Sequence, residues 1–373
     1  MLQEFGPKRI FNAPIAEDYI VGTANGMCRF DPKIHVVVEG AEFADYFWPA
    51  IEQYVECTHE YWRSNGQFTP NLTLRLASGG YIGGGLYHSQ TIEGALTSIP
   101  GARIVYPSFA DDAAGLLRTS IRSKGFTVFL EPKAQYNSVE AAGFVPEDFE
   151  VPFGKARIRR PGSDLSVITY GNTTHFCLSV AERLKKEHNW DVEVIDIRSL
   201  IPLDTETIFA SVKKTGKVLI VHEDKVFSGF GAEIAGIVGT EMFRYLDAPI
   251  QRVGSTFTPV GFHPVLEKAI LPGEERTGRG SSAAIMRRSW ILKCDFYGFF
   301  RSRRAFQSTR PSGRKGTPSP SNRARRSSDC PPPAMEASAL PTRCHGSSSG
   351  QRRMAQPTIR AARGRPSIWA IWP

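Results

Sequence analysis

The sequence predicts an α/β protein of two domains, each built on a parallel-rich sheet, with a disordered C-terminal tail. Three observations carry that expectation. Short β-branched runs alternate with amphipathic helical patterns in two successive series, as βα units do. A stretch poor in periodic apolar positions, but carrying Pro146, Pro152, Pro161 and Gly162, separates the two series. Beyond residue 276 both periodicities stop. The 373 residues, 41% hydrophobic, suffice for two cores at about 100–200 residues per domain.

The first domain is expected to span 1–132. An apolar, glycine-containing helical pattern covers 20–27, and the run IHVVVE predicts a strand over 34–39. A long helical pattern follows over 44–62. Alternation in NLTLRLA predicts a strand over 71–77, with another over 103–106. Asp111 and Asp112 stand where a cap and first turn would be, opening a helix through Ile121. A strand over 127–130 closes the series. Residues 133–163 read as a linker. The second domain, 164–276, offers strands over 165–170, 192–197 and 217–221 and helices over 175–186 and 204–214, the latter capped by Asp204. Its strands are mostly unbroken apolar runs, as expected for strands covered on both faces.

The charge divides the chain differently from its apparent total. Lys and Arg number 46 against 37 Asp and Glu, a formal +9. Residues 277–373 hold 19 basic against 3 acidic residues, which leaves 1–276 at −7. That segment also contains 17 Arg, 15 Ser and 10 Pro, and lacks the apolar pattern needed to bury a core. It is expected to be a disordered tail. Arg/Ser/Pro-rich text is what a GC-rich gene yields out of frame, so a frameshift is favoured over an arm that binds nucleic acid through phosphate contacts.

Other classes are excluded. No apolar run reaches the roughly 18 residues of a membrane span. The start, MLQEFG, lacks the basic and apolar regions of a secretory signal. The six cysteines form no CxxC pair, and the histidines show no ligand spacing. A cytoplasmic protein with reduced thiols and no metal site of its own is expected.

Glycine-rich stretches come first among candidate sites. GGYIGGG at 79–85 suggests a phosphate loop but lacks the following Gly-Lys-Ser/Thr, and Gly229-Phe230-Gly231 has Ile234 where a dinucleotide turn needs its third glycine. Both read as places of close backbone packing. Three further features draw interest together: Glu17 ahead of an apolar helical stretch, Tyr46 at the mouth of a helix after a strand, and His88 just after the glycine loop.

Many motifs in consistent order carry a family resemblance. RIFNAPIAED at 9–18, FADYFWPAIEQ at 43–53, GGGLYHSQ at 83–90 and IPGARIVYPSFADDAAGLL at 99–117 are joined by FLEPKAQY at 129–136, VEVIDIRSLIPLDTETI at 192–208 and VGSTFTPVGF at 253–262. Over 2–275 the sequence resembles the β subunit of the thiamine-diphosphate-dependent decarboxylase component of 2-oxo acid dehydrogenase complexes, of the pyruvate or branched-chain type. The resemblance implies a transketolase-like pyrimidine-binding domain followed by a transketolase C-terminal domain. The implied reaction is oxidative decarboxylation of a 2-oxo acid with acyl transfer to lipoyl-lysine of an acyltransferase.

Carried over, Glu17 matches the glutamate that hydrogen-bonds the aminopyrimidine N1′, where a shared proton favours the reactive tautomer. Tyr46 matches the aromatic packed on the pyrimidine face. His88 matches a histidine that assists later steps, including acyl transfer. No GDG motif for the cofactor's diphosphate occurs in this chain. The resemblance therefore implies half a site, with the α subunit holding Mg²⁺ and diphosphate in an α₂β₂ assembly. Some relatives bind potassium where this chain has Ser123-Lys124-Gly125, with no acidic residue. The family's first domain begins several dozen residues earlier, so an N-terminal truncation is expected here. Its final helix, after Glu275, is expected to be replaced by the tail. The alternative function is thus an inactive fragment that acts only as a binding module, for the acyltransferase or, through the tail, for nucleic acid.

Overall fold

The computed structural model describes residues 2–286 apart from Glu42. Two five-stranded sheets organise it. Helices α1 (Leu2–Phe5) and α2 (Glu17–Phe30) lead into strand β1 (Val36–Ala41). Helix α3 (Ile51–Arg63), strand β2 (Leu72–Ser78), helix α4 (Glu93–Thr97), strand β3 (Arg103–Val105), helix α5 (Ala110–Arg122) and strand β4 (Phe126–Pro132) complete the first series. The strands run parallel in the order β1-β2-β4-β3, with Leu72 facing Val36 on one side and Phe126 on the other. Central β2 and β4 are buried along their whole length. Alternation sends Leu72, Leu74 and Leu76 into the main core, while Phe129 packs on Leu116 of α5 across the opposite face.

The helical pattern over 44–62 divides. Two short 3₁₀ turns, Ala44–Tyr46 and Trp48–Ala50, precede α3. Pro49 lacks the N–H that a continuous helix would use, so it begins a new turn rather than extending an old one.

The second series comprises β5 (Arg157–Arg160), β6 (Leu165–Thr169), α6 (Thr173–His188), β7 (Val192–Asp196), β8 (Ser199–Ile201), α7 (Thr205–Thr215), β9 (Val218–Lys225), α8 (Phe230–Glu241), β10 (Gln251–Ser255), α9 (Pro264–Ile270) and α10 (Glu274–Met286). Its sheet runs β10-β9-β6-β7-β5, parallel except for β5. Asp204 caps α7 by accepting from Thr207 N–H at 3.1 Å, as the sequence predicts.

Three boundaries differ from expectation. The segment 133–163 is not all linker: its RIRR run forms β5 at the edge of the second sheet, where Arg159 turns inward to pair with the buried Asp112 and Asp196. Strand β8, inside the second series, crosses to pair antiparallel with β3 of the first sheet. Arg198, in left-handed conformation, makes the turn and anchors on Asp112 at 2.7 Å. Lastly, the fold does not end at 276. Helix α10 lies against α6 and β10 and buries Thr277, Gly278, Ser281 and Ala284. A Cβ on Gly280 would come within 2.7 Å of Val253, so small residues are what allow this close approach. The rest of the expected tail, 287–373, lies outside the described residues. No described helix is long and apolar enough to cross a membrane. The described cysteines, Cys28, Cys57 and Cys177, are free and buried, and burial pushes their thiols up to about 11, 12 and 12.

Candidate active site

Ligands of parallel α/β sheets bind beyond the carboxyl ends of the strands. Three neighbouring strands of the first sheet end together here. β1 runs out into Phe43, Asp45 and Tyr46; β2 into the glycine loop and His88; β4 into Lys133. The loops converge. The His88 imidazole meets Phe43 edge-on at 4.3 Å between ring centres and Tyr46 at 5.2 Å. Lys133 Nζ donates to the His88 carbonyl at 2.7 Å, pairs with Asp45 Oδ2 at 3.3 Å, and sits 4.9 Å from the centre of the Phe43 ring. Asp45 Oδ1 accepts from Gln90 N–H at 2.7 Å, two residues past His88. One buried ion pair thus fixes the main chain at the histidine and two residues beyond it.

The glycine loop is shaped for this. Gly79, Gly83 and Gly85 have φ of +93°, +67° and +69°, which L side chains rarely adopt. A Cβ on Gly84 would fall 2.7 Å from His88 Cβ, so the loop folds back directly on the histidine. Burial is the largest influence on both members of the ion pair. It pushes Asp45 up and Lys133 down, and their mutual attraction opposes each shift.

The three residues marked in the sequence differ in what surrounds them. The structure brings His88 and Tyr46 together. Tyr46 leaves almost half its surface open, and the His88 ring makes no hydrogen bond with a described residue. Glu17 is the first residue of α2 and half-buried, with no hydrogen bond or ion pair to a described residue. Helix α2 ends at Phe30, shortly before β1 begins, and the two pack together. A 14-residue helix covers about 21 Å, comparable to a six-residue strand, so Glu17 lies toward the strand ends that carry Tyr46 and His88.

Phe43, Asp45 and Lys133 were not anticipated as site residues. Lys133 carried one available signal: a lone cation just after an apolar strand, in the EPK of FLEPKAQY. The second glycine candidate is a packing device. Gly231, in the first turn of α8, packs against His222, whose Nε2 would clash with an added Cβ. Among the described residues no group of three or more His, Cys, Asp or Glu could hold a metal ion.

Comparison with known proteins agrees with this architecture. Residues 1–139 match the family described as transketolase, pyrimidine binding domain, and 154–276 match transketolase, C-terminal domain. The 2-oxoisovalerate dehydrogenase subunit beta of Pseudomonas aeruginosa is 41% identical over 292 residues, covering 74% of this chain and 81% of that protein. The protein of the same name from Bacillus subtilis is 36% identical, covering 74% and 84%. The pyruvate dehydrogenase E1 component subunit beta of Rickettsia felis is 38% identical, covering 74% and 82%. A solved structure described as a split gene transketolase, inactive beta4 tetramer, superposes with a TM-score of 0.61 at 21% identity, covering 77% of this chain and 87% of that one; it speaks to the fold alone. The chain belongs to the family of β subunits of 2-oxo acid dehydrogenases, with the family's two transketolase-like domains.

Proposed function

We propose that the chain supplies the pyrimidine-binding half of a thiamine diphosphate site that decarboxylates a 2-oxo acid and passes the acyl group to the lipoyl-lysine of an acyltransferase. The convergence of three loops from the carboxyl ends of β1, β2 and β4 on His88 and Tyr46 carries this reading. The groups present fit the cofactor's pyrimidine end: an open aromatic ring at Tyr46, a carboxylate at Glu17 without a protein partner among the described residues, and the half-buried His88 imidazole, whose ring makes no hydrogen bond with a described residue. They do not fit its diphosphate end, for which this chain offers no GDG motif, so an α subunit would hold that end with Mg²⁺.

Bound thiamine diphosphate supplies a nucleophilic carbon for the 2-oxo carbonyl and a sink for the electrons left by carbon dioxide. In this reading Glu17 holds a proton at pyrimidine N1′, and Tyr46 orients the ring from one face. His88 exchanges a proton with the reacting group during acyl transfer. The Lys133–Asp45 pair holds His88 in place through the backbone.

Reconstitution tests this. The chain mixed with an α subunit of a 2-oxo acid dehydrogenase, thiamine diphosphate and Mg²⁺ should release carbon dioxide from pyruvate or a branched-chain 2-oxo acid, and neither subunit alone should do so. A stable mixed assembly that binds thiamine diphosphate yet turns over neither substrate class would sink the reading and leave only a binding role.

A further inference from the structure

We propose that Glu223, Asp224 and Glu267 of the second domain are positioning residues that set the conformation of the 79–94 loop and so place His88. The proposal rests on the role given to His88 above. The loop's neck is closed within its own domain by Gly79 N–H donating to the Gln90 carbonyl at 3.1 Å. Its arms are held from the other domain. Gly80 N–H donates to Glu223 Oε1 in a short contact, Gly83 N–H to Glu267 Oε1 at 3.1 Å, and Gly94 N–H to Asp224 Oδ2 at 3.2 Å. Thr91 Oγ1 donates to Asp224 Oδ1 at 3.1 Å, and Tyr81 OH to the Pro272 carbonyl at 2.6 Å.

The arrangement is specific to a loop. Glu223 and Asp224 are consecutive on β9, so their side chains leave the strand on opposite sides. One takes the arm before His88 and the other the arm after it. The accepting carboxylates meet glycine amides, where no side chain intervenes. A Cβ on Gly79 would lie 2.7 Å from Glu223 Oε1, and one on Gly94 2.6 Å from Asp224 Oδ2. Each bond from a glycine N–H to one of these side chains ties the loop to the second domain, and together they fix both arms. An inter-domain contact serving stability alone would need no such focus on the two arms of one loop.

Hydrogen exchange on the full chain tests this without cofactor or α subunit. Glu223→Ala should raise exchange across 79–90 tenfold or more, with the amides of β6 and β9 unchanged. Glu223→Gln, which keeps an acceptor, should stay within about twofold of the parent. Glu267→Ala, at a half-exposed position that tolerates truncation, should raise exchange around Gly83 several-fold and shift the His88 imidazole resonance. Unchanged loop exchange in both alanine variants overturns the proposal. If Glu223→Ala unfolds the whole domain, Glu267→Ala decides by the same criterion. A loosened loop with unaltered acyl transfer in the reconstituted enzyme supports the positioning and removes the role assigned to His88, so the two ideas fail separately.

Discussion

The two sheets share an architecture but treat their strand ends differently. At the carboxyl ends of the first sheet, Tyr46 and His88 remain partly open, and their rings make no hydrogen bond with a described residue. At the carboxyl end of β9 in the second sheet, Glu223 and Asp224 are buried, and every accepting bond they make across the domain boundary goes to the loop that carries His88. In the reading proposed above, the same topological position would serve as a site in one domain and as a support in the other. Polar groups left without protein partners mark where a ligand can act. Polar groups already satisfied mark what holds that place steady.

The sharpest way to break this contrast is to remove the ion pair beneath His88. Lys133→Met strands Asp45 in a buried position and should lower stability by about 3–5 kcal/mol in urea denaturation at neutral pH. Adding Asp45→Asn should recover more than half of the loss. A loss below about 1 kcal/mol would show that the pair does not anchor the loop.

The support can be probed through its charge. Burial pushes the Glu223 carboxyl up to about 7, with the nearby Asp224 and Glu267 carboxylates adding to the shift while the Gly80 N–H and Lys133 oppose it. A folded-state value above the ordinary 4.5 means the native chain holds a proton that the unfolded chain releases, so stability is lost as pH rises from about 4.5 through 7. Glu223→Gln should therefore match the parent at pH near 4.5 and exceed it by about 3 kcal/mol near pH 8. Equal stabilities at both ends of that range would contradict the buried charge.

A smaller effect is expected where a carboxylate of the second domain acts only on its own helix and the strand segment beside it. Asp204 caps α7 and also accepts from Ala156 N–H at 2.8 Å. Asp204→Ala should cost about 1–2 kcal/mol in thermal or urea unfolding and leave exchange in the 79–94 loop unchanged. Loosening of that loop would mean that the domains are coupled more diffusely than three carboxylates.

Legibility in the sequence follows the length and chemistry of each element. The long βα units and the Asp204 cap were readable because apolar periodicity and cap residues are local signals. Strand β8 has three residues, and its partner β3 lies nearly a hundred residues earlier, so no local pattern reveals it. Helix α10 escaped because Thr277, Gly278, Ser281 and Ala284 pack by smallness, which leaves no large apolar stripe. In the site, His88 and Tyr46 stand in motifs, whereas Lys133 acquires meaning only once β4 lies beside β2. Glu223 and Asp224 are more than 120 residues from the loop they hold, and folding alone unites them.

The open groups at the first sheet's strand ends are proposed to perform the chemistry. Glu17→Gln, compared with Asp18→Asn at the exposed neighbouring position, tests it in the reconstituted enzyme. Decarboxylation should fall at least about 100-fold in Glu17→Gln, with assembly and melting temperature intact, and stay at the parent level in Asp18→Asn. Turnover within a few-fold of the parent in a fully assembled Glu17→Gln enzyme would contradict it.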